Sequence, residues 1–529
     1  MAPTIPADDL ELGSFTDDAP WSVASNDLTW RRHVGRLRLA QARELPRLTR
    51  QPKLPPVRRA ATVVRVLGSA IGLWAVKERG GPRSKAGISH RIRVAAESLG
   101  PTYIKLAQII SAGEGVFPEE LVRECKKCRD QVPAVPYEQV VATVESELGK
   151  PMHEVFRFFE PAPLAAASIA QVHAATLVSG EDVVVKVQRP GIDELVRKDL
   201  KVLAWLAPFL VGRIPVSALA NPPALVELFA ETIIEELDFR LEADNMLDIG
   251  RVFTELGQTG FTVPRPHPTH VTQKVLVMQR MEGFRFDDVA GMKGAGIDTQ
   301  AIIKTGMLGF LEGAFMHGVF HGDLHGGNLF VQRDGRTALV DFGITGRLTD
   351  AERMAFLRMM MTATANDVPG QVAALRDLGA LPADTDIDAV IRDLGLDGPP
   401  IDPTKMDPEE LVHELQRIIK ALLGYGARMP KSLMLYVKNL IFLDGAIANL
   451  APELDMFAVV TDIAVHFSMT HGASIAQQLG VAQEEWELDL DGLKGAFGAD
   501  PADTDRLTYA ELLERRKLIN KRLAGRLTD

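Results

Sequence analysis

The stretch Phe320–Arg347 constrains the fold of this chain more than any other. It reads F-HGDLHGGN-LFVQRDGRTALV-DFG-ITGR. Leu329, Phe330 and Val331 form one apolar run and Thr337–Val340 another. Arg333-Asp-Gly-Arg336 lies between them, and Asp-Gly between apolar runs is a strong hairpin signal. A hairpin here folds the chain back on itself. Asp323 and Asn328 are expected at one end and Asp341 at the other.

Two carboxylates and a carboxamide at the end of a strand pair suit Mg²⁺, which takes a few oxygen ligands and shares the rest with substrate phosphates. The order also fits phosphoryl transfer, in which one Asp handles the nucleophile while an Asn and a second Asp hold metal. Asp323 to Asn328 has the D-x-x-x-x-N spacing, and Asp341-Phe342-Gly343 follows.

The strand before Gln188 carries a second informative residue. Ala174–Val178, the turn Ser179–Asp182 and Val183–Val187 read as a hairpin whose second strand contains Lys186. An ammonium inside a Val-rich strand is costly unless anions meet it, and α- and β-phosphates together with a helix glutamate are suitable anions. The preceding loop holds Ala165, Ala166, Ala167 and Ser168 where a Gly-rich phosphate loop would sit. Alanine keeps it slim but gives up positive φ.

A long helix is expected over Pro222–Leu247. Its apolar stripe through Leu225, Phe229 and Ile233 continues to Glu236, the expected partner of Lys186. Asp238 points elsewhere, toward metal or toward the Lys105 helix. That earlier helix opens at Gly100-Pro101 and runs to about Ser111, with Lys105 and Gln108 on one face. Val275–Met278 reads as a strand. Gln279–Gly283 follows as a hinge whose backbone, at Gln279 and Met281, is expected to meet adenine. Ile302–Val319 reads as an apolar helix entering the Asp323 loop. Thr349-Asp-Ala-Glu352 is a capping box. Only Ile344–Leu348 separate it from Gly343, which leaves no room for a long activation segment and argues against a peptide substrate.

Bulk properties set the limits. The chain has 529 residues, 46% hydrophobic and 24% charged, with net charge −11, which argues against nucleic-acid binding. Trp30–Arg93 is the exception, with seventeen Lys/Arg against Glu44 and Glu78. Within it, Val63–Val76 is apolar and flanked by Arg58, Arg59, Lys77 and Arg79. Such a segment can lie on an anionic membrane surface or pack on the acidic body, and the residues leave both readings open. Val202–Val211 contains Pro208 and Leu433–Leu443 contains Lys438, so neither is read as membrane-spanning. Cys125 and Cys128 lack the second pair a zinc site needs and read as reduced thiols on a helix.

The expected organisation is α+β. An acidic disordered tail covers 1–29, a basic arm 30–94 and a helical extension 95–150. An N-lobe covers 151–282, a mostly helical C-lobe 283–488, and a tail with a basic helix 489–529. The linker Gly398–Pro403 divides the helical part.

Together these residues resemble the UbiB/AarF family of atypical kinases, also called the ABC1 kinases, over roughly Ala95–Ala380. The family motifs K-x-G-Q, the Ala-rich loop, E-x-D, H-G-D-x-H-P-G-N and D-F-G read here Lys105-Leu-Ala-Gln108, Leu164–Ser168, Glu236-Leu-Asp238, His321–Asn328 and Asp341–Gly343. Ala107 stands where the family has glycine, and Gly326 where it has proline. The resemblance implies a two-lobed protein-kinase-like fold with an N-terminal helical extension. It implies ATP and Mg²⁺ as cofactors, with ATPase or unorthodox kinase activity in isoprenoid-quinone or lipid metabolism.

On that reading Lys186 and Asp323 are catalytic, Asn328 and Asp341 hold metal, and Lys105, Gln108 and Asp238 gate the site. The transmembrane tail of some members is not carried over. The chain is expected to be cytoplasmic and peripheral to membrane, near quinone-like lipids. Two other readings fit the motifs: a small-molecule phosphotransferase of the aminoglycoside or choline kinase type, and a catalytically weak ATP/ADP-binding scaffold.

Overall fold

The computed structural model describes residues 28–78, 80–81, 84–111, 117–128, 133–210, 222–364, 367–396, 421, 424–427, 430–479 and 506–524. Most of the acidic tail, the Gly398–Pro403 linker and the segment from Asp489 to residue 505 lie outside the described residues. The chain divides into two compact units. Among the described residues, those up to Glu282 together with Ala338–Thr345 form the first, and Gly283–Thr337 with those from Gly346 onward form the second.

The first unit begins with α1 (Val34–Thr49), α2 (Val57–Lys77), α3 (Ser84–Leu99), α4 (Pro101–Ser111) and α5 (Glu119–Cys125). Next come α6 (Tyr137–Leu148), α7 (Met152–Val155) and the strands β1 (Phe156–Phe159), β2 (Ala165–Ala166), β3 (Ala170–Leu177) and β4 (Asp182–Gln188). Helices α8 (Ile192–Leu210), α9 (Pro222–Glu235) and α10 (Phe239–Glu255) precede β5 (Phe261–Thr262), β6 (Pro266–Val271) and β7 (Val275–Gln279). The sheet order is β1-β3-β4-β7-β6, with β2 on β3. Side chains alternate faces along a strand. Val183, Val185 and Val187 therefore share one core with Val140 and Val144 of α6 and with Val275 and Val277. Lys186 is on the other face of β4, paired in register with Val172 and Leu276.

The expected single helix over Pro222–Leu247 is two. It breaks after Glu235 and restarts at Phe239, where Asp238 is the N-cap and accepts from Arg240 N. Asp is a strong N-cap because its side chain satisfies a backbone donor that the first turn leaves orphaned.

Much of the basic arm packs on this unit's own acids. Arg31 meets Asp244 and Asp248 at 2.8 and 3.0 Å, Arg38 meets Asp244, and Arg197 of the body meets Glu44 of the arm. Arg59 grips the fully buried Asp199 at 2.5 and 2.9 Å and donates to Leu99 O. Helix α2 differs beyond that anchor, since Val64, Ile71, Leu73 and Val76 are exposed.

Two described helices meet the length and composition of a membrane span. Val57–Lys77 and Lys431–Leu450 are both long and apolar enough to cross a bilayer, with 11% and 44% of their apolar windows buried. Cys125 and Cys128 are buried and not joined in a disulfide, the first closing α5 and the second in the turn after it.

The second unit carries β8 (Phe284–Arg285), α11 (Val289–Gly294), α12 (Thr299–Glu312), β9 (Val319–His321), β10 (Leu329–Val331), the start of β11 (Thr337–Leu339), the end of β12 (Thr345–Arg347) and α13 (Asp350–Thr364). The further described helices are Val368–Asp377, Ile387–Leu394, Lys431–Leu450, Met456–Leu479 and Tyr509–Ala524. β10 pairs antiparallel with β8, and a Cβ at Gly283 would lie 2.6 Å from Val331 O, so only glycine fits there. The Asp-Gly turn forms as its sequence predicts: Gln332 N donates to Arg336 O, and Gly335 takes φ +86°. The Thr349–Glu352 capping box forms in both directions, at 2.9 and 3.2 Å. The helix expected over Ile302–Val319 stops earlier. It ends at Glu312, passes through a π-turn over Gly313–His317 and is closed by Gly318 at φ +68°.

Candidate active site

In the first unit the site forms around Lys186. Its side chain is buried, and its Nζ donates to Glu242 Oε1 and Oε2 at 2.8 and 3.0 Å and to Asp341 Oδ1 at 2.9 Å. The ammonium also lies 5.5 Å from the centre of the Phe239 ring. Burial by itself would lower the lysine, but the charges of Asp341 and Glu242 outweigh it and hold the ammonium above its ordinary value. Burial pushes the Glu242 carboxyl up, and Lys186 pulls it partly back. The Lys186–Glu242 pair is therefore buried, where electrostatic interactions are strongest, and Asp341 meets it from the solvent side.

Asp341 is the one non-glycine residue with positive φ among those described, at +64°. Asp tolerates this region better than most residues, yet the conformation is strained and persists only where its surroundings impose it. The surroundings are specific. Phe342 is fully buried, and its carbonyl accepts from Asn245 Nδ2 at 2.8 Å. Gly343 sits against Glu236, where a Cβ would meet Glu236 Cγ at 3.3 Å. The Asp341 side chain remains 46% exposed, which suits a group that must meet a ligand.

The partner expected for Lys186 is not Glu236. Glu236 instead pairs with Lys105 Nζ at 2.8 Å, both largely buried, and Glu242 takes Lys186. The break at Asp238 explains the change. With a new helix beginning at Phe239, the buried stripe runs through Phe239, Glu242, Ala243 and Met246, so Glu242 is the carboxylate facing β4. Reading Asp238 as a cap would have found it. Asp238 itself is bound to Arg240 at 2.6 Å, so the expected reach toward Lys105 or metal is not what the structure shows. Gln108 lies one turn beyond Lys105 on α4, half-buried.

The Ala-rich segment is also corrected. It is not an open loop but a tight hairpin. Ala165 and Ala166 pair with Val172 and Gln171, and Ala167 N donates to Ala170 O at 2.8 Å. Ser168 is buried in the turn, and Arg189 ties the tip through Ala167 O and Ile169 O. Small side chains permit this pairing. Gln279 ends β7, and its N–H is committed to Arg265 O; Met281 follows, half-buried.

In the second unit the loop after β9 is held from below. Asn328 Nδ2 donates to Asp323 O at 3.0 Å, and Asp323 N donates to His321 Nδ1. The Lys431–Leu450 helix supplies the rest. Fully buried Asn439 accepts from Leu324 N and donates to His321 O, and Lys438 Nζ pairs with Asp323 Oδ1. These two residues were missed. Lys438 had a signal, a lysine interrupting an apolar stretch, the same signal that singled out Lys186.

A strand-borne lysine fixed by a helix glutamate and by the Asp of a D-F-G triplet defines a protein-kinase-like domain. A family model, the ABC1 atypical kinase-like domain, matches residues 127–374. The chain is 32% identical over 385 residues to a probable protein kinase UbiB of Marinobacter nauticus, covering 71% of this chain and 69% of that protein. It is 33% identical over 432 residues to an uncharacterized protein, Rv0647c, of Mycobacterium tuberculosis, covering 80% and 88%. It is 31% identical over 390 residues to an uncharacterized chloroplastic aarF domain-containing protein kinase of Arabidopsis thaliana, covering 69% and 72%. The chain belongs to the UbiB/AarF family of ABC1 atypical kinases.

Proposed function

We propose that this chain is a Mg²⁺·ATP-dependent atypical kinase or ATPase. The observation that supports it best is Lys186, held between Glu242 and Asp341 at 2.8 and 2.9 Å. Each donor taken by itself suits the metal of that cofactor. Asp341 offers an exposed carboxylate, and Asn328 uses its Nδ2 as donor, which leaves its carbonyl oxygen as the atom to offer; Mg²⁺ prefers such oxygen ligands. When bound, the ion would neutralise charge on the β- and γ-phosphates.

The protein's own part is positioning. Lys186 binds the α- and β-phosphates, and Glu242 fixes it. Asp323 orients or deprotonates the nucleophile. Lys438 positions Asp323, as a charge partner rather than a group that touches substrate. The adenine edge meets the Gln279 carbonyl and the Met281 backbone, since the Gln279 N–H is committed to the sheet. Lys105, Gln108 and Glu236 gate the site next to Gly343, and the Ala-rich hairpin covers phosphate less flexibly than a glycine loop would.

The proposed setting is a membrane surface in isoprenoid-quinone or lipid metabolism. The exposed apolar face of α2 and the basic residues around it support that reading. Asp341→Asn should abolish Mg²⁺-dependent ATP turnover, and unchanged turnover refutes the metal assignment. Vesicles of anionic lipid and quinone should raise ATP consumption. Flotation unchanged by deleting residues 30–93 would remove the membrane part.

A further inference from the structure

We propose that Glu312, His466 and His471 form a binding site for a divalent transition-metal ion of the zinc class, separate from the nucleotide site. Glu312 closes α12, and the two histidines lie on the Met456–Leu479 helix. All three belong to the second unit. His466 Nε2 and His471 Nε2 each lie 2.7 Å from the same atom, Glu312 Oε1. The three candidate ligand atoms all fall within 4.8 Å of one another. The imidazole planes stand 72° apart with centroids at 5.9 Å, so the rings converge on Glu312 from two directions rather than stack.

The burial is graded in a way that suits an ion. The Glu312 side chain is 1% exposed, His471 13% and His466 36%. A carboxylate forms the floor, and one imidazole edge opens to solvent. Two imidazoles and a carboxylate are the ligands of His₂Glu zinc sites, which keep a fourth position open. Two nitrogen ligands argue against Mg²⁺, which demands oxygen. Without an ion, both imidazoles are placed to donate Nε2–H to the one oxygen; with an ion, each ring would carry its proton on Nδ1 and offer the Nε2 lone pair. Bonds of about 2.0–2.1 Å would separate neighbouring ligand atoms by roughly 3.3 Å, so the site opens by about half an ångström.

The backbone beside the site is unusual in the same place. The π-turn Gly313–His317 begins directly after Glu312, and such turns recur at functional sites. Through it α12 continues into β9 and the His321–Asp323 loop. An ion here would clamp the end of α12 to the Met456–Leu479 helix.

The test uses the full-length chain stripped with chelator, with Zn²⁺ binding measured by calorimetry and by metal analysis after dialysis. One equivalent of Zn²⁺ is expected, undisturbed by a thousandfold excess of Mg²⁺. His466→Ala and His471→Ala should each weaken binding at least tenfold. His466 is partly exposed, so circular dichroism of that variant should match the parent. Cys125→Ser/Cys128→Ser should bind as the parent does. No bound Zn²⁺, or equal affinity in the His466→Ala/His471→Ala double variant, overturns the proposal; so does loss of binding in the cysteine variant alone.

Discussion

Replacing Glu242 by alanine should be among the most damaging single changes in the first unit. The glutamate is 3% exposed and makes two hydrogen bonds to Lys186, itself 10% exposed. Its removal leaves the buried ammonium with Asp341, which is half-exposed, in place of two carboxylates, and breaking a buried pair costs about 3–5 kcal/mol. At about 2–4 °C per kcal/mol for a unit of this size, the unfolding midpoint should fall by roughly 6–20 °C. MgATP affinity should fall with it, at about 1.4 kcal/mol for each tenfold, because Lys186 loses the group that aims it. Glu236→Gln should lower affinity less, since its ion pair is with Lys105.

The double variant Lys186→Met/Glu242→Leu separates stability from function. Apolar side chains of similar volume often replace a buried pair without loss, so stability should return while nucleotide binding does not. Scanning calorimetry and nucleotide titration read the two effects. If Glu236→Gln weakens MgATP as much as Glu242→Ala, or if the double variant is no more stable than Glu242→Ala, the assignment of Glu242 is wrong.

Lys438→Met should reduce kcat about ten- to hundredfold with KM for ATP little changed, because it removes a charge that positions Asp323; steady-state kinetics will check this, and an effect on KM alone would contradict it. Arg59→Met strands the fully buried Asp199 and should cost about 3–5 kcal/mol in a urea titration, with Arg59→Met/Asp199→Leu recovering most of it. Glu124 accepts from Lys127, with Arg93 and His90 also against it, and these hold its carboxyl down to about 2. A depressed acid stabilises the fold above its unfolded value, near 4.5, and that contribution is lost as pH falls toward 2. Urea midpoints between pH 5 and pH 2.5 should therefore fall less steeply in Glu124→Gln than in the parent.

The sequence by itself determined the elements whose causes are local. An Asp-Gly turn, a Thr-x-x-Glu box, a proline-opened helix over Pro101–Ser111 and a Val-rich strand carrying Lys186 each depend on neighbours within a few positions. The structure contains all of them. The family was legible for the same reason, since its motifs are short and ordered along the chain. Partners were not. Lys186 and Glu242 are 56 positions apart, and Lys438 and Asp323 are 115. Which carboxylate reaches the ammonium depends on where a helix breaks, and a single N-cap at Asp238 moved that face by six residues. The Glu312–His466–His471 cluster likewise has no spacing signature, because two helices far apart in sequence must pack before its three side chains meet. Charge pairing in a buried site is decided by three-dimensional proximity, and only the tertiary structure supplies that.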